Sequence, residues 1–138
     1  MALEGTDLAF VERRSTLVRR WPVVAWLMLA GIVAVAEKHG LVVMGDEIYD
    51  QMVYDDAEFI PMATLVDDGV CLSFSGLSKV YRACGYRVGW CVFSGDLDHA
   101  ADYIHSMELL AALRLCSNVP GQWAVQTALG GFQSIGDL

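Results

Sequence analysis

The stretch LAGIVAVAEKHGLVVMGDEIY, residues 29–49, constrains this chain more than any other. Its first part, LAGIVAVAEKHG, predicts a helix, with charges collected at its end and Gly40 as the C-terminal stop. LVVMGDEIY follows directly, is rich in β-branched residues, and predicts a buried strand ending at Asp46. Helix, glycine, apolar strand and then acids at the strand's carboxyl end make the αβ half of a parallel α/β unit. Ligands of such sheets gather beyond the carboxyl ends of the strands. The search for chemistry therefore starts at Asp46.

The remainder continues the pattern. VCLSFSG (70–76) predicts a second buried strand, and GWCVFSG (89–95), bounded by glycines, a third. The connection DQMVYDDAEFIPMATLVDDG is polar with a short apolar middle. Ser94 or Asp96 is expected to cap a helix over LDHAADYIHSMELLAALRL, whose apolar residues at 97, 100, 101, 104, 107, 110 and 111 fit helical spacing. NVPGQWAVQTALGG predicts a last helix, with Pro120 near its first turn and paired glycines closing it. Residues 1–20 show no sustained period, and no repeat or low-complexity tract interrupts the chain.

Composition narrows the function classes. Hydrophobic residues make up 55% of the 138 and charged residues 19%, which supports a core and excludes a disordered segment. A net charge of −8 opposes non-specific nucleic-acid binding. Basic residues nonetheless cluster, first at Arg13, Arg14, Arg19 and Arg20 and again at Lys79, Arg82 and Arg87; a basic pocket in an acidic chain suits a small anion. The four cysteines form no C-x-x-C pair and the histidines have no zinc spacing, so free thiols in a reducing cytosol are expected, without a metal. RRSTLVRRWPVVAWLMLAGIVAVAE imitates a secretory signal, ending in the small-x-small Ala34-Val35-Ala36. As a membrane span the run from Trp21 to Ala36 is short of the ~18 apolar residues required, and a core helix accounts for it equally well.

Four positions gain meaning together. Asp46 and Tyr49 stand three apart at a strand end, where acids ordinarily meet solvent or cap the next element. Lys79 and Arg87 stand eight apart, with Gly85 and Gly89 allowing close backbone approach to a ligand; an arginine alone there reads as a surface ion pair. An amine, a carboxylate, a phenol and a guanidinium delivered to one crevice are what pyridoxal 5'-phosphate needs. They serve its aldehyde carbon, ring nitrogen, ring oxygen and phosphate respectively.

DEIY followed by SGLSKVYRACGYRVGW closely resembles the fold-type I, class I aminotransferases, in particular the bacterial alanine transaminase-like group. The likeness runs over residues 30–138, through YDDAEF, LRLCSNVPGQ and QTALGG, and leaves 1–29 unassigned. It implies an α/β chain: part of the large pyridoxal phosphate-binding domain, a mostly parallel sheet flanked by helices, truncated at both ends. It also implies roles. Lys79 matches the lysine that joins the cofactor as a Schiff base and later shuttles the proton. Asp46 matches the carboxylate on the pyridinium nitrogen, Tyr49 the hydroxyl on the ring oxygen, and Arg87 the phosphate-binding arginine. Ser78 and Ser75 are further phosphate candidates, Gly76 standing where many relatives have serine, and Arg82 is assigned to the surface.

The implied reaction is transamination between an alanine-like amino acid and a 2-oxo acid. The alternatives are a carbon–sulfur lyase or cyclopropane-forming synthase of the same cofactor family, and a non-catalytic remnant that associates with a full-length relative. A cytoplasmic setting, no membrane or nucleic-acid partner, and a homodimer in full-length relatives complete the expectation. In relatives the N-P-T-G-type segment, the glycine-containing phosphate loop, the stacking aromatic and the arginine that grips the substrate carboxylate fall outside the matching stretch. The chain is therefore expected to be an internal fragment with apolar surface at its cut edges.

Overall fold

The computed structural model describes residues 21–55, 57–132 and 134–135. Helix α1 (Trp21–Lys38) leads into strand β1 (Val43–Asp46), and a long loop with one 3-10 turn (Met62–Thr64) leads to β2 (Val70–Gly76). A second 3-10 turn (Cys84–Tyr86) precedes β3 (Gly89–Gly95), followed by helices α2 (Ala101–Leu113) and α3 (Val119–Gly130). The readings placed on residues 1–20, including the arginine cluster that opens the signal-like stretch, lie outside the described residues.

Gly40 ends α1 by the expected device. At φ 60° it sits in the left-handed region, its N–H reaching the Glu37 carbonyl at 3.1 Å and that of Leu41 the Ala36 carbonyl at 2.8 Å. That reciprocal pair satisfies the last carbonyls of the helix. The helix begins earlier than the pattern from Leu29 suggested, because WPVVAWLM continues it and the missing N–H of Pro22 falls in the first turn, where none is needed. No helix among the described residues is long and apolar enough to cross a membrane.

The sheet order is β1-β2-β3. β1 and β2 are parallel, in register from Val43 opposite Cys71 to Asp46 opposite Phe74. β2 and β3 are antiparallel, from Val70 opposite Gly95 to Gly76 opposite Gly89. A parallel third strand would need a crossover, usually helical, and residues 77–88 hold only the short 3-10 turn.

Alternation along β2 builds two small cores. Cys71 packs with Val33 and Ala36 of α1, Val43 and Val66. Its neighbours Val70 and Leu72 pack with Ala100, Phe93 and Ile104. Because successive strand side chains point to opposite faces, α1 and the start of α2 cover opposite sides of the sheet.

Three expectations need correction. β1 is not buried on both faces: Val43 and Gly45 are enclosed, whereas Val42 and Met44 are open. Neither Ser94 nor Asp96 caps α2. The Asp96 carboxylate accepts from the His99 N–H at 3.0 Å in a turn before the helix, and the capping position, Ala100, has no side chain to offer. The expected apolar stripe of α2 is only partly used: Ile104 and Met107 are half-buried, and Leu110 faces solvent.

Candidate active site

Parallel pairing sets the site. β1 and β2 run the same way, so Asp46 at the end of one and Lys79 just beyond the end of the other emerge at the same edge of the sheet. The main chain at that edge is tied across by the Glu47 N–H, which donates to the Phe74 carbonyl at 2.8 Å. Asp46 Oδ1 then accepts from the Ile48 N–H at 3.3 Å, a local turn that carries the chain to Tyr49. The Glu47 carboxylate turns the other way and accepts from the Met62 N–H at 2.7 Å, pinning the returning loop.

Lys79 lies in a short turn after β2, closed by the Arg82 N–H on the Lys79 carbonyl at 3.0 Å. Its ammonium stands 5.8 Å from the centre of the Tyr49 ring. The structure thus brings these two residues together, in cation–π contact. At an exposed place that contact contributes about 0.5–1 kcal/mol, so stability alone would not demand it. Lys79 lines a groove of about 490 Å³ with Gln51, Tyr54, Asp55, Val80 and Arg82. Asp46 instead lines a neighbouring, mostly apolar groove of about 660 Å³ against α1. Ser78 is half-buried beside the lysine, with Ser75 half-buried three residues earlier in β2.

Arg87 is exposed, and its guanidinium donates to the Cys84 carbonyl at 2.9 Å, within its own turn. Among the described residues no surface ion pair holds it. Both Arg82 (φ 51°) and Arg87 (φ 52°) take left-handed backbone, as does Asp55 (φ 54°) on the lysine groove. Each such non-glycine residue costs on the order of 1 kcal/mol, and such outliers cluster at functional sites.

The turn around Arg87 is built by packing that sequence reasoning overlooked. Gly76 and Gly89 face each other; a Cβ on Gly76 would come within 2.8 Å of the Val88 carbonyl, and one on Gly89 within 2.9 Å of the Ser75 carbonyl. Leu77 N–H donates to that Val88 carbonyl at 3.1 Å, and the Leu77 carbonyl accepts from Ala83 at 2.9 Å. The Asn118 side chain, at the N-terminus of α3, donates to the Tyr86 carbonyl at 2.9 Å and accepts from the Gly121 N–H at 3.2 Å. The signal in sequence was Asn118-Val119-Pro120, a capping residue before an early proline.

These residues sit in a chain whose relatives are clear. The sequence model of the family described as aminotransferase class I and II matches residues 28–137. The chain belongs to that family. It is 51% identical over 111 residues to the glutamate-pyruvate aminotransferase AlaA of Escherichia coli (strain K12), covering 80% of this chain and 27% of that protein. The alanine aminotransferase of Mycobacterium tuberculosis (strain ATCC 25618 / H37Rv) is likewise 51% identical, over 80% of this chain and 26% of its own length. Among solved structures, an aminotransferase from Escherichia coli superposes with a TM-score of 0.74 at 52% identity, over 78% of this chain and 27% of that one. The alanine aminotransferase from Pyrococcus furiosus gives the same TM-score at 34% identity. The chain spans about a quarter of the length of the curated relatives it matches.

Proposed function

We propose that this chain carries the lysine-bearing part of a pyridoxal 5'-phosphate-dependent aminotransferase that exchanges amino groups between an alanine-like amino acid and a 2-oxo acid. The observation that carries the reading is the Lys79 ammonium beside the Tyr49 ring, at the sheet edge where Asp46 also emerges. The printed names of the relatives, glutamate-pyruvate and alanine aminotransferase, support the substrate class.

The residues present fit the cofactor. A primary amine, a phenol, a carboxylate and the Arg87 guanidinium suit its carbonyl carbon, ring oxygen, ring nitrogen and phosphate, and the groove of about 490 Å³ that Lys79 lines is of small-molecule size, with Asp46 on a separate groove. When bound, pyridoxal phosphate supplies an electron sink beside the amino acid's α-carbon. Lys79 would hold it through the carbonyl carbon, and its free amine would move the proton at the amino acid's α-carbon. The Asp46 carboxylate would keep the ring nitrogen protonated, the Tyr49 hydroxyl would donate to the ring oxygen, and Arg87 with Ser78 would bind the phosphate through donors suited to its oxygens. A cytoplasmic setting is part of this proposal. A homodimer of the whole protein belongs to the same reading and is tested by its mass in solution.

An absorbance titration of the chain with pyridoxal 5'-phosphate, beside Lys79→Ala, tests the site. A band near ~420 nm that depends on Lys79 and shifts with L-alanine is the expected result. A spectrum identical in the variant would remove Lys79 from the chemistry.

A further inference from the structure

The N-terminus of α3 is seated directly on the turn that carries Arg87. Gly121 is buried there, and a Cβ on it would collide with Val88 Cγ2 and come within 3.3 Å of the Tyr86 carbonyl. Asn118 closes this contact with both ends of its amide: Oδ1 takes the Gly121 N–H and Nδ2 gives a hydrogen to the Tyr86 carbonyl. The cap alone needs only the oxygen. The second bond fixes the peptide immediately before Arg87, the residue held at φ 52°. Such a conformation is disfavoured for an arginine and persists only where its surroundings hold it.

We propose that Asn118 is a positioning residue: through its bond to the Tyr86 carbonyl it holds the left-handed turn that aims Arg87 at the ligand's phosphate. This rests on the reading of Arg87 as the phosphate-binding arginine. The two functions of Asn118 separate chemically. Serine keeps an oxygen that caps α3, but has no amide to reach Tyr86; alanine has neither.

The test compares binding of pyridoxal 5'-phosphate with binding of pyridoxal, which lacks the phosphate, by absorbance titration of the wild-type chain, Asn118→Ser, Asn118→Ala and Arg87→Ala. Melting temperature is recorded for each. Asn118→Ser is expected to lose about tenfold of the preference for the phosphorylated ligand, the scale of one hydrogen bond to a charged site. Its pyridoxal affinity and melting temperature are expected to stay near wild type. Asn118→Ala is expected to lose the same preference and melt lower. A normal preference in Asn118→Ser, with the preference lost in Arg87→Ala, overturns the role of Asn118 and leaves that of Arg87 standing. A preference intact in Arg87→Ala removes the phosphate reading itself. Parallel weakening of both ligands in Asn118→Ser, or a lowered melting temperature there, reduces Asn118 to a helix cap and overturns the proposal.

Discussion

Strand β2 and helix α2 meet through Ile104, yet they live in different environments. Every residue of β2 is buried or half-buried, with Cys71 and Leu72 at 0% and 1% exposure. None of the 13 residues of α2 is buried, and Leu110 and Leu113 are 63% and 81% exposed. α1 shows the same split within one element, enclosing Val33 and Ala36 while Val24, Leu27, Met28 and Ile32 remain open. A strand is covered as soon as its two faces and its neighbours are in place. A helix that is apolar around much of its circumference needs cover on every side, and the sheet supplies one. The lysine turn follows directly from the covered strand.

The largest test of this contrast is at the sheet's rim. Gly95 has φ 89°, and a Cβ there would strike the Gly69 carbonyl. Gly95→Ala should cost about 3 kcal/mol or more in urea unfolding, since backbone on both sides must move. Leu72→Ala comes next, at about 2–5 kcal/mol for an emptied core position. Its counterpart, Leu113→Ala, should change stability by no more than ~0.5 kcal/mol, as surface substitutions do. Equal losses in these two leucine variants would erase the distinction between strand and helix.

The smallest effect is in thiol chemistry. Burial pushes the Cys71 thiol above its ordinary value of 9.0, against the lowering pull of Ser73 and Ser94. Cys84 and Cys116 are exposed. Alkylation followed by mass spectrometry should label these two first and reach Cys71 only on unfolding. The raised thiol binds its proton more tightly in the folded chain than in the unfolded one. Its contribution is therefore intact below about pH 9 and declines as pH rises through the folded value. Cys71→Ala should flatten that alkaline decline; an unchanged slope would assign it to other groups.

Much of the fold could be read from local pattern. The limits of β2 and β3 were marked by glycines and apolar runs, the end of α1 by Gly40, and α3 by Pro120 and paired glycines. The capping of α2 could not be read, because Asp96 is spent on a turn whose length depends on how the chain leaves β3. Nor could the open face of β1, since an apolar run records what a strand tolerates and not what covers it. In the candidate site, the residue types at 46, 49, 79 and 87 stood out by position and chemistry, and Ser78 entered only through the family resemblance. The contact between Lys79 and Tyr49, and the hold of Asn118 on Tyr86, join segments 30 and 32 positions apart.

The sequence by itself determined the elements, the family and the set of chemical groups, because propensity, caps and motifs act over a few neighbouring residues. Tertiary structure alone decided that Asp46 and Lys79 share an edge while lining different grooves, and that two arginines take left-handed backbone. Those outcomes depend on strand register and on the carbonyls and side chains of distant segments, which no local pattern encodes.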